Sequence, residues 1–250
     1  MREPDFMIVG AARAGTTTLY HYLNAHPEIF MAKPLRPESK FFLDPQEFKK
    51  GKAYLLETRY QGAGDQKAVG EKSTHYMCGS GVAERLHAIF PRLRLIFILR
   101  DPVERAVSNY WWSVKNGFDT LPLEDALDWN KESERIKQYN NYFKLIQPFS
   151  YIIRGFYFKY IQDYLRFFPR ENILILITEE LEHDTLKALN QVLAFLRASS
   201  LSNIRLLKTN EVPRLHDVSQ KTIGNLIGIF RKANEDLERY LGREITVWRK

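Results

Sequence analysis

The sequence contains one cysteine, Cys78, so no disulfide can form within the chain. That excludes a disulfide-stapled scaffold and fits a reducing, cytoplasmic compartment. One cysteine and 6 scattered histidines offer no metal-ligand spacing, and no metal is expected. No apolar run reaches the ~18 residues that a membrane-spanning helix needs, so no transmembrane segment is expected. The most apolar stretches, Leu93–Leu99 and Ile173–Ile177, have the length of buried strands. No Asn-x-Ser/Thr sequon, internal repeat, low-complexity tract or linker is present. No secretory leader is expected, because Asp5-Phe6-Met7-Ile8-Val9-Gly10 runs directly into a loop.

What is present is 250 residues with a formal net charge of +7. The length suffices for one sizeable α/β domain, expected to span 1–250. A basic balance suits an anionic ligand. The basic residues form no long run, so nucleic acid is not expected as a partner.

Short continuous apolar strands alternate with amphipathic helices. Asp5–Gly10, Ala68–Gly70, Leu93–Leu99 and Ile173–Ile177 read as strands. Thr16–Ala25, Val82–Phe90, Asp184–Leu196 and Ser219–Leu241 read as helices, the last with Ile223, Leu226, Ile227, Phe230 and Leu237 inward. Asp101 should cap a further helix with Pro102 in its first turn and Gly117 just past its end. Tyr151–Phe168 reads as one long aromatic-rich helix, with Tyr157 a candidate to face a nucleotide. This alternation predicts an α/β fold: a central parallel sheet flanked by helices, with a P-loop-like strand-loop-helix. Ligands of such sheets bind beyond the carboxyl ends of the strands. Gly10 and Arg100 both fall at such ends.

Gly10-Ala11-Ala12-Arg13-Ala14-Gly15-Thr16-Thr17 has P-loop spacing, with Thr16 where the lysine belongs. Loop amides and the helix N-terminus can cradle an anion there, and Thr16, Thr17 and Thr18 can add hydroxyl donors. The lysine that serves a triphosphate is missing, and no strand ends in a clear Walker-B aspartate. A Mg-ATP enzyme would want both. A nucleotide with one 5′-phosphosulfate needs neither, since Arg13 and the loop amides can meet its charge. A second anion site follows the central strand. Arg100 is placed for a bidentate phosphate contact, and Ser108 lies about two turns into the next helix. The alternative is a local salt bridge for Arg100 and an incidental helix serine.

At these residues the sequence resembles the sulfotransferases that use 3′-phosphoadenosine 5′-phosphosulfate (PAPS), in the branch of the heparan sulfate N- and O-sulfotransferases and their bacterial relatives. Residues 10–19 match the family's 5′-phosphosulfate loop, and 99–110 match its 3′-phosphate motif. Glu38-Ser39-Lys40-Phe41-Phe42 is similar to a loop whose glutamate is the proposed catalytic base. Glu71-Lys72-Ser73-Thr74-His75-Tyr76 is similar to a block whose lysine lies near the transferred group. Phe168–Leu176 and Glu179-Glu180-Leu181 resemble a later structural strand. Three departures stand out: Arg13 where lysine is common, Thr74 where proline is common, and no disulfide-closed loop. The C-terminal cofactor loop is poorly matched; Lys208–Arg214 is its expected place, with Arg214 on the 3′-phosphate.

The resemblance implies sulfuryl transfer from PAPS to a hydroxyl or amine of a small-molecule or carbohydrate acceptor, releasing 3′,5′-adenosine bisphosphate. Cofactor-binding residues would be Arg13, Ala14, Gly15, Thr16, Thr17, Thr18, Arg100, Ser108 and Arg214. Catalytic residues would be Glu38 as base, with His75 the alternative, and Arg13 and Lys72 as charge stabilisers. Glu38 as a solvated loop acid, His75 as a pocket residue and Lys72 as a surface lysine are the structural alternatives. A P-loop nucleotide or small-molecule kinase is the competing activity, and a basic module binding polyanions the non-catalytic one.

Overall fold

Five short strands, almost wholly buried, lie side by side in parallel: β1 Phe6–Gly10, β2 Ile29–Met31, β3 Ala68–Lys72, β4 Arg94–Leu99 and β5 Ile173–Ile177. Their order is β2-β3-β1-β4-β5. Ile8 is in register with both Lys72 and Ile96, and Leu99 with Ile177. The carboxyl ends of β1, β3, β4 and β5 therefore share one edge. Runs such as Leu95-Ile96-Phe97-Ile98-Leu99, each fully buried, are what a sheet covered on both faces selects. This computed structural model describes residues 2–138, 147–207 and 217–249.

The chain forms two compact units, one from 1–99 with 162–209 and one from 100–161 with 210–250. The first holds the sheet and the helices α1 Thr16–Asn24, α2 Pro45–Phe48, α3 Gly51–Arg59 and α4 Val82–Ile89. The second begins with α5 Pro102–Lys115, followed by α6 Leu123–Ala126 and α7 Trp129–Lys137. The helix α8 Tyr157–Leu165 carries the chain back to the first unit, where α9 Thr178–His183 and α10 Thr185–Leu196 follow β5. The last helix, α11 Gln220–Leu241, belongs to the second unit.

In the second unit Asp101 caps α5 as its sequence predicts, accepting from Val103 N at 2.8 Å and Glu104 N at 3.2 Å. The inner face of α5, with Ala106, Val107 and Tyr110, packs with Tyr151, Ile152 and the α11 residues Leu226 and Phe230. Ile227, expected inward, is 39% exposed; the helix places it beyond the buried stripe that Leu226 and Phe230 define.

The segment Tyr151–Phe168 departs from the expected single helix. It makes a 3₁₀ turn at Ile153–Gly155 before α8 begins. A side chain at Gly155 would come within 2.5 Å of the Phe230 ring, so the backbone lies against that ring. Glu132, fully buried on α7, accepts from Ile152 N at 2.6 Å and Ile153 N at 2.8 Å. This remote carboxylate serves the open amides of the turn as a cap would. The equally buried Arg105 guanidinium donates to Tyr151 O beside it. Glu179-Glu180-Leu181, likened to a strand, lies in α9. β2 has no counterpart in the sequence reading, because three residues are too few for a periodicity to emerge.

Removing the Glu132 carboxylate strands a buried and a half-buried amide near a buried guanidinium. Glu132→Ala should lower unfolding stability by roughly 3 kcal/mol, measured by urea unfolding of the purified chain.

Candidate functional site

The loop after β1 is tied to the neighbouring strand, with Ala11 N donating to Ile98 O at 2.7 Å. Within it Arg13 (φ 70°) and Gly15 (φ 83°) both take left-handed conformations. Glycine adopts this freely. Arg13 does so at a cost of about 1–2 kcal/mol, a form of strain that clusters at ligand sites. Left-handed turns in a loop of this kind are a feature of main-chain anion sites. Gly15 caps α1 without a side-chain hydrogen bond, and the positive end of the helix dipole lies at the first-turn amides that follow. Thr16 is buried, while Arg13, Thr17 and Thr18 are half-buried, and Ala14 is enclosed. Thr178, the first residue after β5, places its Oγ1 2.9 Å from both Ala14 O and Leu99 O. It stitches the loop to the end of β4.

At the end of β3, on the same sheet edge, the structure gathers Glu38, Lys72 and His75. Lys72, only 2% exposed in its side chain, donates to Glu38 Oε1. Thr74 donates twice to Glu38 Oε2, from its backbone N at 2.7 Å and its hydroxyl at 2.8 Å. His75 Nδ1 stands 3.6 Å from the same oxygen. Burial alone pushes the Glu38 carboxyl up, but the His75 ring and the Lys72 ammonium outweigh it and hold the group well below the usual carboxylate range. Glu38 is thus no solvated loop acid, and Lys72 no surface lysine. Thr74, noted in the sequence only as a departure, supplies an N–H that the family's common proline lacks.

In the second unit Arg100 follows β4 and sits with Nη2 3.6 Å from Glu104 Oε2, its side chain 29% exposed. The local salt bridge considered from sequence is therefore present, loosely. Ser108, half-buried, lies one turn beyond Glu104 on the same face of α5. Two other residues of this motif are structural. Arg105 is fully buried, and the Tyr110 hydroxyl donates to Leu121 O at 2.7 Å. Tyr157, the nucleotide-facing candidate, is 1% exposed and donates to Arg100 O at 2.8 Å, so it is a core residue. A cavity of about 630 Å³ between α5 and α11 is lined by Glu104 and Val107 but by neither Arg100 nor Ser108. Arg214 and the 208–214 stretch lie outside the described residues. Among the described residues no histidine, cysteine and carboxylate group could hold a metal, and no helix is long and apolar enough to cross a membrane.

The family model of the sulfotransferase domain matches residues 3–223. The chain belongs to the sulfotransferase family. Its structure superposes on a sulfotransferase from Alicyclobacillus acidocaldarius with a TM-score of 0.84 and 27% identity, covering 100% of both chains. It is 24% identical to the membrane-associated sulfotransferase kil1 of Dictyostelium discoideum over 96% of this chain. It is 27% identical to heparan sulfate glucosamine 3-O-sulfotransferase 3B1 of Mus musculus over 77%. The chain spans 66% and 46% of the lengths of these two relatives. Mouse sulfotransferase SULT7A1 complexed with PAP, at 17% identity and a TM-score of 0.51, shares the fold. This sulfotransferase therefore has the α/β fold with a parallel sheet that its strand pattern predicts, and it is an enzyme of the transferase class.

The depressed Glu38 carboxyl gives a sign for stability. An acid whose folded pKa lies below its unfolded value contributes stability above the ordinary 4.5 and loses it as pH falls further. Wild type should exceed Glu38→Gln in unfolding free energy at pH 7. The gap should narrow once pH falls below 4.5 and keep narrowing toward the much lower folded value, in urea titrations at each pH.

Proposed function

We propose that this sulfotransferase moves a sulfuryl group from PAPS to a hydroxyl or amine of a carbohydrate, lipid or small natural-product acceptor. The observation that carries the reading is the Glu38–Lys72–His75 cluster, on the same sheet edge as a phosphate-binding loop whose lysine position is Thr16. The residues of the loop fit the 5′-phosphosulfate: left-handed turns at Arg13 and Gly15, open α1 amides and the hydroxyls of Thr16, Thr17 and Thr18. Arg100 and Ser108 take the 3′-phosphate, the Arg100 fork leaving Glu104 for a better-matched anion. Arg214 is assigned to the same phosphate.

In the transfer, the acceptor oxygen or nitrogen forms a bond to sulfur while the bond from sulfur to the bridging phosphate oxygen breaks. Glu38 takes the acceptor's proton, and 3′,5′-adenosine bisphosphate leaves with the electron pair. In the resting arrangement Glu38 is ionised but a weak base, because His75 and Lys72 hold its charge. Arrival of the donor gives the Lys72 ammonium a second anion to serve. Each contact that Lys72 moves from Glu38 to a sulfuryl oxygen raises the basicity of Glu38 and stabilises the charge of the leaving phosphate. Arg13 acts on the same oxygens. His75, 3.6 Å from Oε2, orients the carboxylate in this reading. We place the reaction in the cytoplasm on the strength of the single cysteine, with no nucleic acid partner. The kinase alternative is disfavoured by the family match and by Thr16 in place of the lysine.

Calorimetric titration with 3′,5′-adenosine bisphosphate in metal-free buffer tests the donor. Binding should be micromolar, and Arg100→Ala should weaken it by about 1.5–3 kcal/mol, the worth of a charged hydrogen bond. Stabilisation by Mg-ATP alone, without bisphosphate binding, would instead favour the kinase. In a turnover assay Glu38→Gln should lower kcat on the order of 10²–10⁴-fold, and near-full turnover would remove Glu38 as the base.

A further inference from the structure

Behind Glu38 lies a second carboxylate that no step of the transfer uses. Glu71, the residue before Lys72 in β3, is completely buried. Its Oε2 accepts from the Tyr60 hydroxyl at 2.8 Å, and its Oε1 lies 3.3 Å from the Tyr76 hydroxyl. Tyr60 and Tyr76 are themselves 1% and 0% exposed. The Tyr76 hydroxyl reaches on to Ser39 Oγ at 3.0 Å, and Ser39 is the neighbour of Glu38. The Ser39 carbonyl accepts from Ser73 Oγ at 2.8 Å, and its hydroxyl accepts from Phe41 N at 3.3 Å. A chain of buried polar contacts thus runs from Glu71 through Tyr76 to the backbone that carries the Glu38 side chain. Taking a carboxylate and two phenols out of water is costly, and an apolar trio would fill the same space more cheaply.

We infer that Glu71, through Tyr76 and Ser39, is a positioning residue that fixes the Glu38 carboxylate for proton removal. The inference rests on Glu38 being the base. The physical need is plain: Glu38 sits on the loop between β2 and α2, where strand or helix hydrogen bonds give it no fixed place. A displacement of about 1 Å at a reacting group costs on the order of 100-fold. The network replaces the rigidity that regular structure would supply.

The test is a double-mutant cycle of Tyr76→Phe and Glu38→Gln, with Ser39→Ala as a milder second variant and thermal unfolding as a check on folding. Tyr76→Phe and Ser39→Ala should each lower kcat about 10-fold or more. Affinity for 3′,5′-adenosine bisphosphate should stay within about twofold of wild type, and the acid limb of the pH–kcat profile should shift. Tyr76→Phe should add less than about twofold to the loss in Glu38→Gln, because it acts through the group already removed. If Glu38→Gln is slow but Tyr76→Phe and Ser39→Ala multiply that loss by their full factors, the network acts on the fold at large and the proposal is overturned. If Glu38→Gln is as fast as wild type, the base assignment falls, and the positioning role falls with it.

Discussion

The grip of β3 on Glu38 is the contact around which the first unit is arranged. One short stretch supplies the ammonium of Lys72, the amide and hydroxyl of Thr74 and the ring of His75, all directed at one carboxylate. Ser73 holds the adjacent Ser39 carbonyl. An ionised carboxylate shielded from water needs this number of partners, because each missing one would leave uncompensated charge. The loop that carries Glu38 is therefore fixed from the strand side, and the strand in turn is fixed by its register with β1.

The parallel sheet is what makes that grip useful. Parallel pairing sends the carboxyl ends of β1, β3, β4 and β5 to one edge, so the phosphate-type loop after Gly10 and the cluster after Lys72 emerge together. The helix dipole of α1 and the left-handed turns at Arg13 and Gly15 suit the first of these to an anion. Thr178, emerging from β5 at the same edge, closes the loop onto β4. Positive and negative elements are thus placed by topology before any side-chain chemistry is considered.

The second unit shows how one stretch of sequence divides its labour. In the stretch from Arg100 to Tyr110, Arg100 and Ser108 keep partial exposure, while Arg105 and Tyr110 are spent on packing and buried hydrogen bonds. The helix that presents Ser108 is held in place by those internal contacts. Burial, rather than residue type, separates the two arginines: the same guanidinium serves as a ligand candidate at one position and as a tie to the Tyr151 carbonyl at the other.

The strands β1, β4 and β5, the caps of α5 and the phosphate-type loop were legible in the sequence, because apolar runs, an Asp-Pro start and small-residue spacing are local signals. The resemblance of residues 38–42 and 71–76 to blocks of the sulfotransferase family brought Glu38, Lys72 and His75 forward as candidates. Three outcomes needed the tertiary structure. The break at Gly155 depends on the ring of Phe230 and the carboxylate of Glu132, both distant in sequence. The burial of Tyr157 and the exposure of Ile227 depend on what packs against their helices. The low pKa of Glu38 and the value of Thr74 depend on groups 34 to 37 residues away along the chain. Local sequence determines which residues are capable of binding an anion or moving a proton. Only the folded chain decides which neighbours share their charge, since desolvation and hydrogen bonding act through space and leave no spacing to read.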